Sequence, residues 1–388
     1  MRTDWVAEHG GFARDEQFVD RLVSGPVSHW VHTHRFLPDG PAGSVIEDVI
    51  EYDARFGDFI VRRELPRLFA FRRRRTRGDL VRQAAFADGS PLRVAVTGAS
   101  GLIGGELVPF LTTAGHSVVR LVRRPASGPG EISWDPSRGV LDAEQLEGFD
   151  AVVHLAGESI RPPWTRSRRQ RIRRSRVDGT LLLSEALARL RRPPRVLVSM
   201  SGVNYYGDRG DVVVDEDSTP GDGFLASLCV DWEGATAPAA AAGIRVVNLR
   251  NGIAISGRGG AVSSLLLPFR LGVGGKVGAG RQYVSWIAID DLIGAIYQAI
   301  HDDRLRGPVN AVAPNEVTNR EFTKALGRVL RRPTIVPLPA VAVGAVLGDA
   351  GRELLLASMR VRPTRLEAAG FRFDFPTFED ALRFQLGR

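Results

Sequence analysis

The stretch Val94-Ala95-Val96-Thr97-Gly98-Ala99-Ser100-Gly101-Leu102-Ile103-Gly104-Gly105-Glu106-Leu107 decides the fold of this 388-residue chain. It begins as a short apolar, β-branched run of the kind that forms a buried parallel strand and ends as a helical pattern. Between the two, Gly98, Gly101 and Gly104 set the spacing GxxGxxG. A glycine turn that leads straight from strand to helix is informative where a lone glycine repeat is not. Gly98 permits the tight turn, Gly101 lets backbone approach a pyrophosphate, and Gly104 allows close helix packing. The N–H groups at the helix start are free to donate to phosphate oxygens. Ser100, Leu102 and Ile103 therefore join the three glycines as expected cofactor-binding residues.

Downstream, further apolar runs at Val118–Val122, Ala151–Leu155, Arg195–Ser199 and Arg245–Leu249 alternate with helical patterns at Gly105–Ala114, Ser175–Leu190 and Leu225–Ala242. This alternation predicts an α/β chain, a Rossmann-type doubly wound parallel sheet. Helices near Asn319–Leu330 and Thr377–Leu386 would build a small C-terminal lobe over the strand ends. Asp290 and Asp291 read as caps of a helix beginning at Leu292. In NAD sites an acidic residue at the end of the second strand bonds the ribose 2′-OH. Here that strand ends in Arg123-Arg124, whose guanidinium groups suit a 2′-phosphate, so NADP(H) is expected in preference to NAD(H).

Upstream the pattern changes. Ala87 to Pro91 carry turn and linker residues, which puts a boundary between segment 1–88 and domain 92–388. Before it, Thr3–Ala7, Trp30–Phe36 and Ser44–Tyr52 read as antiparallel strands and Val61–Phe86 as a long helix. Arg72 to Arg75 with Arg77 would lie along that helix's exposed side. His29, His32 and His34 could be read as metal ligands, since His32 and His34 share one face of a strand. No carboxylate or cysteine is spaced along the chain to complete a ligand set with them, so no metal is expected.

Hydrophobic residues make up 44% and charged residues 25%, values that exclude global disorder and fibrous repeats. Cys229 is the only cysteine, which excludes an intramolecular disulfide and a cysteine-rich zinc site and points to a reducing, cytoplasmic setting. No apolar stretch is long enough to span a bilayer. Of 52 Lys and Arg residues only Lys276 and Lys324 are lysines. The net charge of +8 therefore reads as a general arginine bias rather than as a nucleic-acid surface. The cluster Arg161–Arg176 around Trp164 reads as a solvated helix face beside the cofactor.

The residues from about 92 to 388 resemble the extended short-chain dehydrogenase/reductases, the NAD-dependent epimerases and dehydratases. DAVVHLAGESI, SGVNYYGDRGD, GFLASLCVDWE and LPFRLGVGGKVGAGRQYVSWIAIDDL are similar to an atypical subgroup labelled only epimerase family protein. The resemblance implies that Leu155, Ala156 and Gly157 run along the cofactor near its adenine-side ribose, with Glu158 after them. Ser199, Asn251 and Gly252 are expected on the cofactor side, and Trp286 in the cleft lining. The N-terminal segment resembles part of a START/polyketide-cyclase-like helix-grip domain, implying a partial sheet with one long helix and no closed cavity.

Reductases of this superfamily use a Tyr, a Lys four residues later and a Ser. The residues four beyond Tyr52, Tyr205, Tyr206, Tyr283 and Tyr297 are Phe56, Arg209, Gly210, Ile287 and His301, so no such pair exists. Aligned by Trp232-Glu233, the Tyr and Lys positions fall on Leu225 and Cys229. Leu225 donates no proton, and a neutral thiol supplies no cation. Ser201, Tyr205 and Tyr206 remain as expected catalytic residues. The expected function is an NADP(H)-binding oxidoreductase or epimerase acting on a small metabolite; the alternative is a non-catalytic NADP(H)-binding regulatory or scaffold protein.

Overall fold

Four antiparallel strands open the chain in the computed structural model, which describes residues 4–41, 43–53, 58–87 and 89–388. They are β1 (Val6–Ala13), β2 (Gln17–Ser24), β3 (His29–Asp39) and β4 (Gly43–Asp53), paired in that order. Thr3, the expected start of the first strand, lies outside the described residues. The sequence reading passed over β2 because Phe18, Asp20 and Leu22 alternate with Val19, Arg21 and Val23, which puts apolar and charged residues on both faces. Helix α1 (Asp58–Ala84) follows.

The chain divides into two compact units, Met1–Arg73 and Arg74–Arg388. The division falls inside α1 and not at the linker expected near residue 90. From Arg74 onward the helix is tied to the second unit by ion pairs. Arg74 binds Asp380 at 2.7 Å, Arg75 meets Glu106, and Arg82 reaches Asp291 at 2.6 Å and Asp374 at 2.7 Å. Arg74 and Arg75 are thus partners in a charged network and not the solvated stripe that their run suggested.

In the second unit β5 (Arg93–Thr97), α2 (Gly104–Thr113), β6 (Ser117–Val122), β7 (Glu131–Asp135), β8 (Val140–Leu141), β9 (Ala151–His154), α3 (Arg166–Ala188) and β10 (Val196–Gly202) are followed by α4 (Phe224–Gly234) and strands Arg245–Asn251 and Gly307–Ala311. From one edge, the sheet runs Gly307–Ala311, Arg245–Asn251, β10, β9, β5, β6, β7, β8. All neighbours are parallel except β7 and β8. The chain winds outward from β5 to β7 and then returns to β9 on β5's other side. The strand order therefore reverses at β5 and β9, where such sheets open a crevice beyond their carboxyl ends.

Val94, Val96, Val153, Val198 and Leu249 pack on α2 and on the helix Ile289–His301. Ala95, Leu121, Val152 and Leu197 point to the opposite face, against Leu183 and Leu187 of α3. Strand Gly307–Ala311 escaped the sequence reading because Gly307-Pro308 opens it, and an edge strand tolerates proline there. The helix expected over Leu225–Ala242 is two: α4 stops at Gly234, and Pro238 helps to start a second at Ala237.

Asp290 and Asp291 do not cap a helix. The helix starts at Ile289 with no side-chain cap, and both aspartates are buried in its first turn. Asp291 accepts from the backbone N–H groups of Asp374 and Phe375, and Asp290 from Gln385, so they anchor the C-terminal segment. Among the described residues no helix is long and apolar enough to cross a membrane.

Candidate cofactor and active site

Gly98 adopts φ +65°, and a Cβ there would stand 2.8 Å from the Leu155 carbonyl carbon and 2.9 Å from Ala156 N. Only glycine lets the first turn and the HLAG loop pass so closely. A Cβ on Gly104 would meet Gly98 O at 2.4 Å, so this glycine packs the helix start against the turn itself. The backbone N–H groups of Ser100, Leu102 and Ile103 have no partner among the described residues, and α2 carries no side-chain cap. These unpaired donors fit a diphosphate.

Thr97 locks the second wall of this cradle. Its Oγ1 accepts from Leu155 N at 3.0 Å and Ala156 N at 3.1 Å. Its own proton is thereby directed to His154 Nδ1, 2.8 Å away, which leaves the imidazole proton on Nε2. Burial, helped by the Arg176 charge, pushes the His154 imidazole down to about 4, so it is neutral. Neither residue stood out in the sequence, because both read as ends of ordinary strands.

The two arginines after β6 differ. Arg124 is clamped by Glu131 through two bonds of 2.7 and 2.6 Å. Those bonds and the Ser127 donors hold the Glu131 carboxyl down at about 2. Arg123 is exposed and has no hydrogen-bond or ionic partner among the described residues.

Gly157 and Glu158 follow along the HLAG loop. Glu158 is paired with Arg168 at 2.7 Å, and its carbonyl accepts from Arg176 at 2.8 Å. Arg176 departs from the expected solvated face: it is half-buried against the loop, over the Trp232 ring. A Cβ on Gly157 would touch its guanidinium carbon at 3.2 Å. Burial pulls the Arg176 guanidinium down to about 10, leaving it charged at neutral pH. Its neighbours on α3 are ion-paired, Arg169 with Asp349 at 2.7 Å and Arg173 with Asp231.

At the end of β10, Ser201 is buried and donates to Glu233 Oε1 at 2.7 Å. Glu233 also receives both arms of Arg250, each at 2.8 Å. The Arg250 guanidinium lies 3.4 Å from the Tyr205 ring centre and donates to Tyr206 Oη at 3.0 Å. Sequence reading missed Glu233 and Arg250; their signal is position, one directly after Trp232 and one directly before Asn251-Gly252. Ser199, two residues earlier on the same face, is fully buried with an unpartnered hydroxyl.

The remaining expected residues are placed as follows. Tyr206 is fully buried among Val203, Val214, Val312 and Val361 and donates to Asn310 Oδ1 at 2.7 Å. Burial pushes its phenol up to about 12, so it stays protonated, with its O–H committed to Asn310. Tyr205 is half-buried at the rim. Asn251 Nδ2 bonds its neighbour's carbonyl, and Gly252 serves a backbone crossing, since a Cβ there would lie 2.7 Å from Ser285 O. Trp286 is wholly interior and donates to Asn315 O at 2.9 Å. Leu225 and Cys229 are buried, and burial with the Glu233 charge pushes the Cys229 thiol up to about 11, so it is neutral.

This geometry agrees with the comparisons. The NAD dependent epimerase/dehydratase family model matches residues 94–311, and a domain of unknown function, DUF1731, matches 338–385. An epimerase family protein of Mycobacterium tuberculosis is 44% identical over 296 residues, covering 76% of this chain and 98% of the relative. The crystal structure of a nucleoside-diphosphate sugar epimerase from Corynebacterium glutamicum superposes with a TM-score of 0.82 at 39% identity, over 99% of this chain and 77% of that one. The human epimerase family protein SDR39U1, crystallised with NADPH, gives 0.68 at 36% identity, over 75% of this chain and 98% of that one. The glycine cradle at the strand reversal and these matches together show that the chain belongs to the NAD-dependent epimerase/dehydratase family.

Proposed function

We propose that the chain is an NADP(H)-dependent oxidoreductase or epimerase that works on a small polar or carbonyl-bearing metabolite without a Tyr-Lys pair. The observation that carries the cofactor choice is Arg123, an unpaired guanidinium at the end of the second strand. Gly98, Gly101 and Gly104, with the N–H groups of Ser100, Leu102 and Ile103, would hold the diphosphate, and Leu155 to Glu158 would flank the ribose. A bound nicotinamide supplies hydride exchange at a carbon bearing oxygen.

The chain's own residues divide the remaining work. Arg176, held by the Glu158 carbonyl and packed on Trp232, would supply the fixed cation that the superfamily takes from lysine. Ser201, with its proton committed to Glu233, presents lone pairs to a substrate hydroxyl. The Arg250 guanidinium holds the Glu233 carboxylate and the Tyr205 ring in place. A reducing cytoplasm suits the one buried thiol.

The replacement of the proton-relay residues by Leu225 and Cys229 favours a second reading, an NADP(H)-binding regulator without turnover. Titration with NADPH and NADH, followed by nicotinamide fluorescence and thermal stability, tests the cofactor assignment. Tighter NADPH binding is the expected result. Substrate-dependent NADPH oxidation across a carbonyl panel then supports the enzyme; occupancy with no redox change supports the regulator.

A further inference from the structure

Strand register, rather than spacing along the chain, assembles an unexpected cluster in the N-terminal unit. Asp20 of β2 pairs across from His32 of β3, and His34 of β3 pairs across from Asp48 of β4. Residues directly opposite on neighbouring strands, and residues two apart on one strand, share a face. All four side chains therefore meet on one side of the sheet. The carboxylates that linear spacing failed to supply come from the flanking strands.

Asp20 Oδ2 lies 3.3 Å from His34 Nε2, and one ligand atom from each of Asp20, His32 and His34 lies within 4.8 Å of the others. Bonds of about 2.0 Å in tetrahedral array separate neighbouring ligands by about 3.3 Å. Both histidines are buried and their rings are 3.7 Å apart. Asp48 Oδ1 stands 2.9 Å from His32 Nε2 and 2.9 Å from His34 Nδ1, where a carboxylate orients ligand imidazoles. Arg72, 3.2 Å from Asp48 and 3.1 Å from His34 Nδ1, neutralises that outer carboxylate and leaves Asp20 to balance a cation. His9 closes on the other oxygen of Asp20.

We propose that Asp20, His32 and His34 form a binding site for one divalent transition ion of the zinc class, with Asp48 as orienting partner and a fourth position open to water. Two imidazoles and one carboxylate select such ions over magnesium or calcium, which take oxygen ligands throughout. On binding, His34 Nδ1 turns from accepting the Arg72 donor to donating to Asp48.

The test uses the untagged full chain, stripped with chelator and titrated with Zn2+ and Co2+ by calorimetry and visible absorption. One equivalent of tightly bound metal is expected, with a Co2+ spectrum of low coordination number. Asp20→Asn and His34→Gln should each weaken uptake at least tenfold. His29→Ala, on the opposite face of the same strand, should leave it unchanged. X-ray absorption of the wild-type zinc complex, which requires no variant to fold, should show two imidazoles on the ion. Absence of stoichiometric uptake, equal uptake by all variants, or a zinc shell without paired imidazoles would overturn the site and leave a hydrogen-bonded cluster.

Discussion

Ser201 Oγ donates to Glu233 Oε1 at 2.7 Å, and the same oxygen accepts Arg250 Nε at 2.8 Å. The strand-end serine is thereby the outer member of a buried ionic network, with its hydroxyl orientation set by a carboxylate that cannot move without Arg250. Arg250 is almost wholly buried, so its replacement strands the Glu233 charge. Arg250→Leu is expected to cost about 3–5 kcal/mol, the usual penalty for removing one partner of a buried pair. Ser201→Ala should cost about 1–3 kcal/mol, because Glu233 keeps both arginine arms. Urea denaturation of the cofactor-free protein measures both; equal losses would mean that Arg250 does not carry the network.

The burial of His154 gives a pH dependence with a definite sign. In the folded protein His154 titrates at about 4, against an ordinary value of 6.5. Between those values the unfolded chain binds a proton and the folded chain does not. Stability is therefore lost as pH falls from about 6.5 towards 4, by up to about 1.4 kcal/mol per pH unit for this one group. His154→Met should remove that component, so the wild-type minus variant difference in unfolding free energy should narrow over the same window. A difference that stays constant across it would show that His154 is already protonated when folded.

The glycine turn and five of the parallel strands were legible because buried strands keep a strict apolar run and the turn needs glycine for backbone reasons. Side-chain partnership was less legible. Arg176 and Arg168 lie in one arginine run, yet one packs against Gly157 and the other is an ion-pair partner of Glu158. Tyr205 and Tyr206 are adjacent, yet only a short 3-10 turn over Val203–Tyr206 decides that the second is interior. The proposed metal site was only half legible, as its histidines, because its ligand carboxylate and the orienting one come from neighbouring strands, and register is a property of pairing, not of spacing.

Arg123 and Arg124 should separate under substitution although they are adjacent. Arg123 has no partner in the described protein, so Arg123→Ala should leave thermal stability unchanged while weakening NADPH by about 10- to 100-fold, the worth of a charge-assisted bond, with NADH unaffected. Arg124→Ala should lower stability at neutral pH, because Glu131 loses its principal counter-charge. Fluorescence titration and thermal unfolding of the two variants check this. Selectivity lost through Arg124 alone would transfer the phosphate site to the clamped residue.

Arg176 tests how a chain without the lysine holds its cofactor. Its guanidinium is fixed by the Glu158 carbonyl at 2.8 Å and packed on Trp232, so its charge is already placed before anything binds. On the proposed binding mode such preorganisation would matter at the nicotinamide end, where the superfamily's lysine would stand, and not at the adenine end, which the glycine turn and Arg123 would serve. Arg176→Met should therefore weaken NADPH by about 10-fold or more while leaving adenosine 2′,5′-bisphosphate, which lacks the nicotinamide and its ribose, bound as in the wild type. Arg176→Lys should recover part of the loss, since it restores a charge without the planar fork. Equal weakening of both ligands would mean that Arg176 acts by propping the Leu155 to Glu158 loop, and the cation role assigned to it would fall.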